Sequence, residues 1–255
     1  MGTDRPNGSL YTKIENRVAT IEFAHPSSNS FVSEMLKRLA DEFNTLSKNP
    51  EVSLVLLKSE GERAFCAGAS FDELLAISNS SEGKAFFSGF AHVINAMRTC
   101  KKPVIGRVQG KTVGGGVGLA AACDYVFATE AAAVKLSEIS IGIAPLVIAP
   151  AVERKIGKAG LAELALSPTE WKNAYWAKEK GLYAKVFESI KEMDKELDFY
   201  LQKMASYNPE ALEKMKRALW IGTEHWDALL LERAEQSGQL ALSEDTKKTL
   251  AAFKK

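Results

Sequence analysis

The sequence predicts an α/β fold that gives way to a helical C-terminal region, and three observations carry that reading. Strand-like apolar runs and 3.6-residue helical stripes alternate through most of the chain. The run over 52–57 is apolar but for Ser53, as expected of a strand covered on both faces. Beyond Ile190 every segment reads as helix, which divides the chain into a mixed core over 1–190 and a helical region over 191–255.

The elements follow in order. Residues 11–14 and 18–23 read as paired strands joined by Glu15-Asn16-Arg17. Met35, Leu36, Leu39, Phe43 and Leu46 share one helical face, and Asn49-Pro50 ends that helix. A short strand over 64–66 meets a turn at Gly68, and a helix over 71–77 comes next. Phe86, Phe87, Phe90, Val93, Ile94 and Met97 form a stripe that predicts a helix over 84–98. Lys101-Lys102-Pro103 stops it, and a strand over 104–108 leads into the glycine cluster Gly114-Gly115-Gly116 and a small-residue helix. A strand over 124–128 and the run Val134-Lys135-Leu136 follow, then a segment bracketed by Pro145 and Pro150. Ile156, Leu161, Leu164 and Leu166 sit in helical context, and Trp171, Tyr175 and Trp176 are placed on a helix ending at Gly181. Helices are predicted over 190–207, 209–221, 223–238 and 243–253.

Composition narrows the function classes. The formal charge of +1 gives no basic footprint for nucleic acid. No apolar run approaches bilayer-spanning length, and the polar opening lacks the apolar core of a signal peptide. Cys66, Cys100 and Cys123 are odd in number and lack metal-type spacing, which suits a reducing cytoplasm. His25, His92 and His225 never fall at ligand spacing, so no metal is expected. His92 reads as a packed or surface histidine.

The glycine cluster fits neither nucleotide motif. Leu119 stands where the dinucleotide fingerprint from Gly114 and Gly116 needs its third glycine, and Ile105 stands where a P-loop needs its first. Two glycine turns nonetheless follow strands, at Ala67-Gly68-Ala69 and at Gly114-Gly115-Gly116. Backbone N–H groups from two such turns can converge on one oxygen and stabilise charge developing on a carbonyl. The bland alternative is that the glycines only let a helix pack closely on a sheet. Glu138 interrupts small and apolar sequence, where partial desolvation would tune a carboxyl toward proton transfer. Its competing reading is a solvent-facing residue or a partner of Lys135. Cys66 beside a glycine turn reads as a small buried residue before a nucleophile.

Taken together these features resemble the crotonase superfamily, the enoyl-CoA hydratase/isomerase family, over nearly the whole chain. Asn29-Ser30-Phe31 stands where the family has Asn-Ala-Leu, and Phe65 through Leu74 resembles its first oxyanion segment. Val108-Gln109-Gly110 through Cys123-Asp124 resembles the second, and Asp245 with Ala252-Phe253 resembles the C-terminal pattern. The resemblance implies a spiral of ββα units followed by a helical trimerisation region, assembled as a homotrimer or a dimer of trimers. It implies oxyanion donors at the backbone N–H of Ala69 and Gly115, and Glu138 as the catalytic acid/base. Contacts to coenzyme A or the acyl group fall on Ser30, Ala67, Gly68, Ser70, Phe71, Gly114 and Lys254. No cofactor is implied beyond the coenzyme A thioester substrate itself.

The chain also departs from the pattern. Gly118 aligns with the first of the family's two glutamates, Ser70 replaces the usual Asp, and Pro145-Leu146-Val147-Ile148 replaces a glycine-rich stretch. Gly114 through Leu119 with Ile143 through Pro150 is similar to bacterial methylglutaconyl-CoA hydratase-like members. Hydration of a 2-enoyl-CoA is the favoured expectation. A Δ3,Δ2-enoyl-CoA isomerase is the first alternative, and a non-catalytic acyl-CoA-binding scaffold the second. Phe86, Phe87, Leu146 and Ile148 are candidates for shaping the acyl pocket.

Overall fold

Strands β1 (Ser9–Glu15) and β2 (Val18–Ala24) pair antiparallel, from Ser9 opposite Ala24 to Glu15 opposite Val18. Their two-residue connection places Asn16 and Arg17 in left-handed backbone, with φ of 49° and 68°, which matches the twist of a tight hairpin. Helix α1 (Ser33–Lys48) buries Met35, Leu36, Leu39, Phe43 and Leu46, the face predicted for it. The computed structural model describes residues 7–252.

A three-part unit then repeats. Each pass lays one strand in a large sheet, a short strand in a second sheet, and then helix. The first pass is β3 (Leu54–Ser59), β4 (Ala64–Cys66), α2 (Phe71–Ala76) and α3 (Ser80–Thr99). The second is β5 (Val104–Val108), β6 (Lys111–Val113) and α4 (Gly115–Ala122). The third is β7 (Tyr125–Thr129), β8 (Val134–Lys135), a 3₁₀ turn (Glu138–Ile141) and α5 (Ala149–Ala165). Helix α6 (Ala174–Glu179) and β9 (Lys185–Phe187) close the spiral. The large sheet runs β1-β2-β3-β5-β7-β9, parallel from β2 onward, and the small sheet runs β4-β6-β8, parallel throughout. The ββα spiral expected from the resemblance is the observed architecture.

The helical segment covers this core. Helix α7 (Ile190–Ala205) sets Met193, Leu197 and Leu201 against Leu54, Leu56, Ile105 and Phe127 on one face of the large sheet. Helix α8 (Pro209–Leu219) precedes α9 (Trp226–Ala241), which packs along α3, and α10 (Glu244–Ala252) follows. No described helix is long and apolar enough to cross a membrane.

Several boundaries differ from the sequence reading for local reasons. Helix α3 starts at Ser80 because the Asn79 side chain accepts from Glu82 N–H at 3.0 Å while the Glu82 carboxylate accepts from Ser78 N–H at 2.9 Å. Trp171 is not on a helix: Asn173 caps α6, and Trp171 lies beside Lys172, which bridges to Val134. Strand β3 begins at Leu54, where pairing with Val18 starts. Strands β6 and β9 have three residues or fewer on any one pattern to read, too few for periodicity to register.

Candidate active site

The small sheet is what assembles the site. Because β4, β6 and β8 are parallel neighbours, the segments leaving their C-terminal ends lie side by side. Those segments are Ala67-Gly68-Ala69, Gly114-Gly115 and Ser137-Glu138. Strands that share a direction present their exit loops on one edge, the usual place for a ligand.

The first exit loop is strapped to the Ser28–Phe31 turn. Ala67 N–H donates to Ser28 O (3.1 Å), Phe31 N–H to Gly68 O (2.8 Å) and Ser70 N–H to Phe31 O (2.7 Å). Ala69 N–H is left without a backbone acceptor among the described residues. Gly68 has φ of 90°, a conformation that suits glycine, and a β-carbon there would stand 3.3 Å from Gly115 N. The two turns therefore touch. In the second loop Gly114 (φ 55°) donates its N–H to Lys135 O at 3.0 Å and accepts from Val117 N–H at 2.8 Å. Gly115 opens α4, so its N–H has no partner within the helix and none among the other described backbone groups. Two free N–H groups thus stand on adjoining turns.

Glu138 supplies the acidic group. A β-carbon on Gly114 would lie 2.8 Å from Glu138 Oε1, so the carboxyl rests directly over the second turn. Oε2 is buried and has no hydrogen-bond partner among the described residues. Burial pushes the carboxyl up to about 7, its own backbone N–H pulling weakly the other way. Lys135, the competing partner, lies over the Trp171 ring at 4.6 Å instead. The loop carrying Glu138 is pinned from behind, where Thr246 Oγ1 donates to Gly142 O at 2.6 Å.

The turns and Glu138 border a cavity of about 270 Å³ with predominantly apolar walls. Of the residues named from the sequence, Ala67, Gly68, Ala69, Phe71, Gly114, Gly115 and Glu138 line it, as do Phe86, Phe87, Leu146 and Ile148. Ser30 and Ser70 do not. Ser30 Oγ lies 3.3 Å from His25 Nδ1, and Ser70 Oγ caps α2 by accepting Glu73 N–H. Lys254 lies outside the described residues. Sequence reasoning missed Phe90, whose ring packs on Gly115, and the hydroxyls of Ser137 and Ser237. Neither serine sits in a motif, and only the α3–α9 packing brings Ser237 to the cavity.

Gly118 has its space taken. A β-carbon there would stand 2.4 Å from Ile148 Cγ2. Glu138 is the one ionisable side chain among the described lining residues. Cys66 is fully buried, its thiol pushed up to about 12 by burial, so it is packing and not a nucleophile. His92 is exposed on α3. Among the described residues no three His, Cys, Asp or Glu side chains are placed to hold a metal ion.

Comparison with known proteins bears on this arrangement. The family profile described as enoyl-CoA hydratase/isomerase matches residues 13–254. The chain is 30% identical over 225 residues to a peroxisomal Delta(3,5)-Delta(2,4)-dienoyl-CoA isomerase of Arabidopsis thaliana, covering 84% of this chain and 78% of that protein. It is 28% identical over 241 residues to a short-chain-enoyl-CoA hydratase of Clostridium acetobutylicum, covering 94% and 92%. The crystal structure of an enoyl-CoA hydratase from Bacillus halodurans shares the fold with a TM-score of 0.87 at 22% identity, covering 95% of this chain and 99% of that one.

Proposed function

The chain belongs to the enoyl-CoA hydratase/isomerase family, and from that premise we propose that it hydrates a 2-enoyl-CoA thioester with Glu138 as its single acid/base. The observation that carries this reading is the Glu138 carboxyl, buried over Gly114 beside the two free N–H groups, with an affinity for protons near neutrality. The thioester oxygen accepts from Ala69 and Gly115 N–H, which draws electron density from the conjugated double bond. Glu138 takes a proton from water as the water oxygen bonds to the β-carbon, and negative charge collects on the thioester oxygen as an enolate. The same carboxyl then returns a proton to the α-carbon, so water is added and Glu138 is unchanged. Ser137, the neighbouring hydroxyl of the lining, is available to help hold the water. The methylglutaconyl-type substrate implied by the sequence resemblance is part of this proposal, as is assembly into a trimer or a dimer of trimers. The exposed side chains of Leu166, Phe199 and Ile221 are consistent with further contacts of that kind.

One observation favours a second reading. With Ile148 over Gly118 a carboxylate at that position has no room, and Glu138 is the one ionisable side chain among the described lining residues. A lone base suits a 1,3-proton shift, the Δ3,Δ2-isomerase reaction, in which Glu138 removes a proton from one carbon and delivers it two carbons away.

Incubation of the purified protein with crotonyl-CoA and 3-methylglutaconyl-CoA, following loss of the conjugated thioester absorbance, tests the first reading. Loss of absorbance with incorporation of solvent deuterium at the α-carbon supports hydration. Gain of absorbance from a 3-enoyl-CoA with no activity on 2-enoyl substrates transfers the assignment to isomerisation. Full activity of Glu138→Gln on any of these substrates rejects the catalytic role. Binding without turnover would leave only an acyl-CoA scaffold.

A further inference from the structure

The cavity is lined by a hydroxyl that nothing among the described residues satisfies. Ser237 lies on α9, is 1% exposed, lines the cavity, and its Oγ has no hydrogen-bond partner among the described residues. A serine within a helix ordinarily bonds back to the carbonyl one turn earlier or turns to solvent. Ser237 does neither. A buried hydroxyl without a partner costs free energy, so an acceptor or donor that arrives with a ligand would relieve it.

Helix packing locates this hydroxyl within the cavity. Helices α3 and α9 run antiparallel: Gly83 abuts Gly238 near one end, while Asn95 Nδ2 donates to Trp226 O and Arg98 pairs with Asp227 near the other. Ser237 therefore stands at the level of Lys84 on α3. Phe90, whose ring packs on Gly115 of the oxyanion turn, is six residues further along α3. At 1.5 Å per residue the two levels differ by roughly 9 Å along the helix axis. Ser237 is thus displaced along the cavity wall from the oxyanion turn. One turn onward Ala241 joins Leu74, Phe86 and Ile143 in an apolar cluster, so the hydroxyl is a lone polar point on that wall.

We infer that Ser237 is a specificity-determining residue forming a distal subsite for a hydrogen-bonding oxygen on the acyl chain, and that the preferred substrate carries a neutral polar substituent there. Neutrality follows from the described lining, which holds no lysine or arginine to match a carboxylate. This inference rests on the acyl-CoA reading above and narrows its substrate class: a neutral distal group takes the place of the carboxylate that a methylglutaconyl-type acyl chain carries.

The test measures binding, so that it does not depend on the reaction chosen. Probes are matched saturated medium-chain acyl-CoA thioesters, one ending in an alkyl group and one bearing a distal hydroxyl, titrated calorimetrically into wild type and Ser237→Ala. Alanine is the better helix former, so the variant should fold, and circular dichroism checks it. The wild type should bind the hydroxylated thioester roughly three- to tenfold tighter, and Ser237→Ala should bind the pair equally. Equal binding by the wild type, as when Ser237 merely holds a water, overturns the subsite, and so does a preference that survives in the variant. If neither thioester binds, both this inference and the acyl-CoA reading fall. Loss of turnover on enoyl-CoA with the preference intact overturns only the proposed reaction.

Discussion

Ile148 occupies the space that any side chain on Gly118 would need: a β-carbon there would stand 2.4 Å from Ile148 Cγ2 and 2.7 Å from its Cβ. Gly118 lies in the buried small-residue helix α4, and Ile148 caps the start of α5, so the contact is part of how these helices pack. Gly118→Glu alone should lower stability by about 1–3 kcal/mol through overpacking and a buried carboxylate, with little gain in hydration. Adding Ile148→Ala, at a residue that lines the cavity with Glu138, opens room for the new carboxylate. The double variant should recover folding and hydrate crotonyl-CoA about tenfold or more faster than the single one. Equal rates in the two would mean that Ile148 does not govern access to that position.

Glu138 should set the pH profile. Its carboxyl sits at about 7 and acts first as a base, so the charged form above that value is the active one. The kcat/KM for a 2-enoyl-CoA should therefore rise with pH and level off above about 7. Glu138→Gln should cost about 10²–10⁴ in rate and abolish that rise. A wild-type profile flat from acid to neutral pH contradicts the assignment.

The same carboxyl makes stability depend on pH. Its folded-state affinity, near 7, exceeds the ordinary value of 4.5, so the folded protein holds an extra proton between the two. Stability is then lost as pH rises from about 4.5 through 7, because the buried charged form is penalised. Glu138→Gln carries no such penalty. It should match the wild type at acid pH and exceed it above pH 7 by on the order of 3 kcal/mol. Urea unfolding of both proteins at the two extremes measures the difference, and an identical gap at both would exclude the buried titration.

Much of this arrangement was legible in the residues, because its parts are local. The apolar face of α1 and the two glycine turns are written as spacing, and Glu138 stood out by interrupting apolar sequence. What the spacing could not give was the small sheet. Strands β6 and β8 have three and two residues, and only their parallel pairing with β4 brings the three exit loops together. Ser70 illustrates the opposite case. It falls inside a motif, yet its hydroxyl is spent on capping α2, a role that any Ser ahead of a helix can take. Ser237 has no local signal, since its position depends on how α9 lies along α3.

Asp124, between the Cys123 cap of α4 and the start of β7, ties the C-terminal helices to the core that holds the site. Its carboxylate accepts from Val104 N–H, Lys216 Nζ and Trp220 Nε1, each at 2.7 Å, and its carbonyl accepts from Lys155 Nζ at 3.0 Å. The side chains of Lys216 and Asp124 are 1% and 4% exposed, so neither charge is compensated by water. Asp124→Ala removes one partner and leaves an ammonium buried without a counter-charge, which should cost about 3–5 kcal/mol. Replacing Lys216 as well, with Met, removes the orphaned charge and should restore a large part of that loss, because an ion pair exchanged whole for apolar groups is often close to neutral. Urea midpoints of the wild type, Asp124→Ala and the double variant separate the two effects. Should the double variant prove no more stable than Asp124→Ala, the hydrogen bonds to Val104 and Trp220, and not the ion pair, would be what fastens α8 to the spiral.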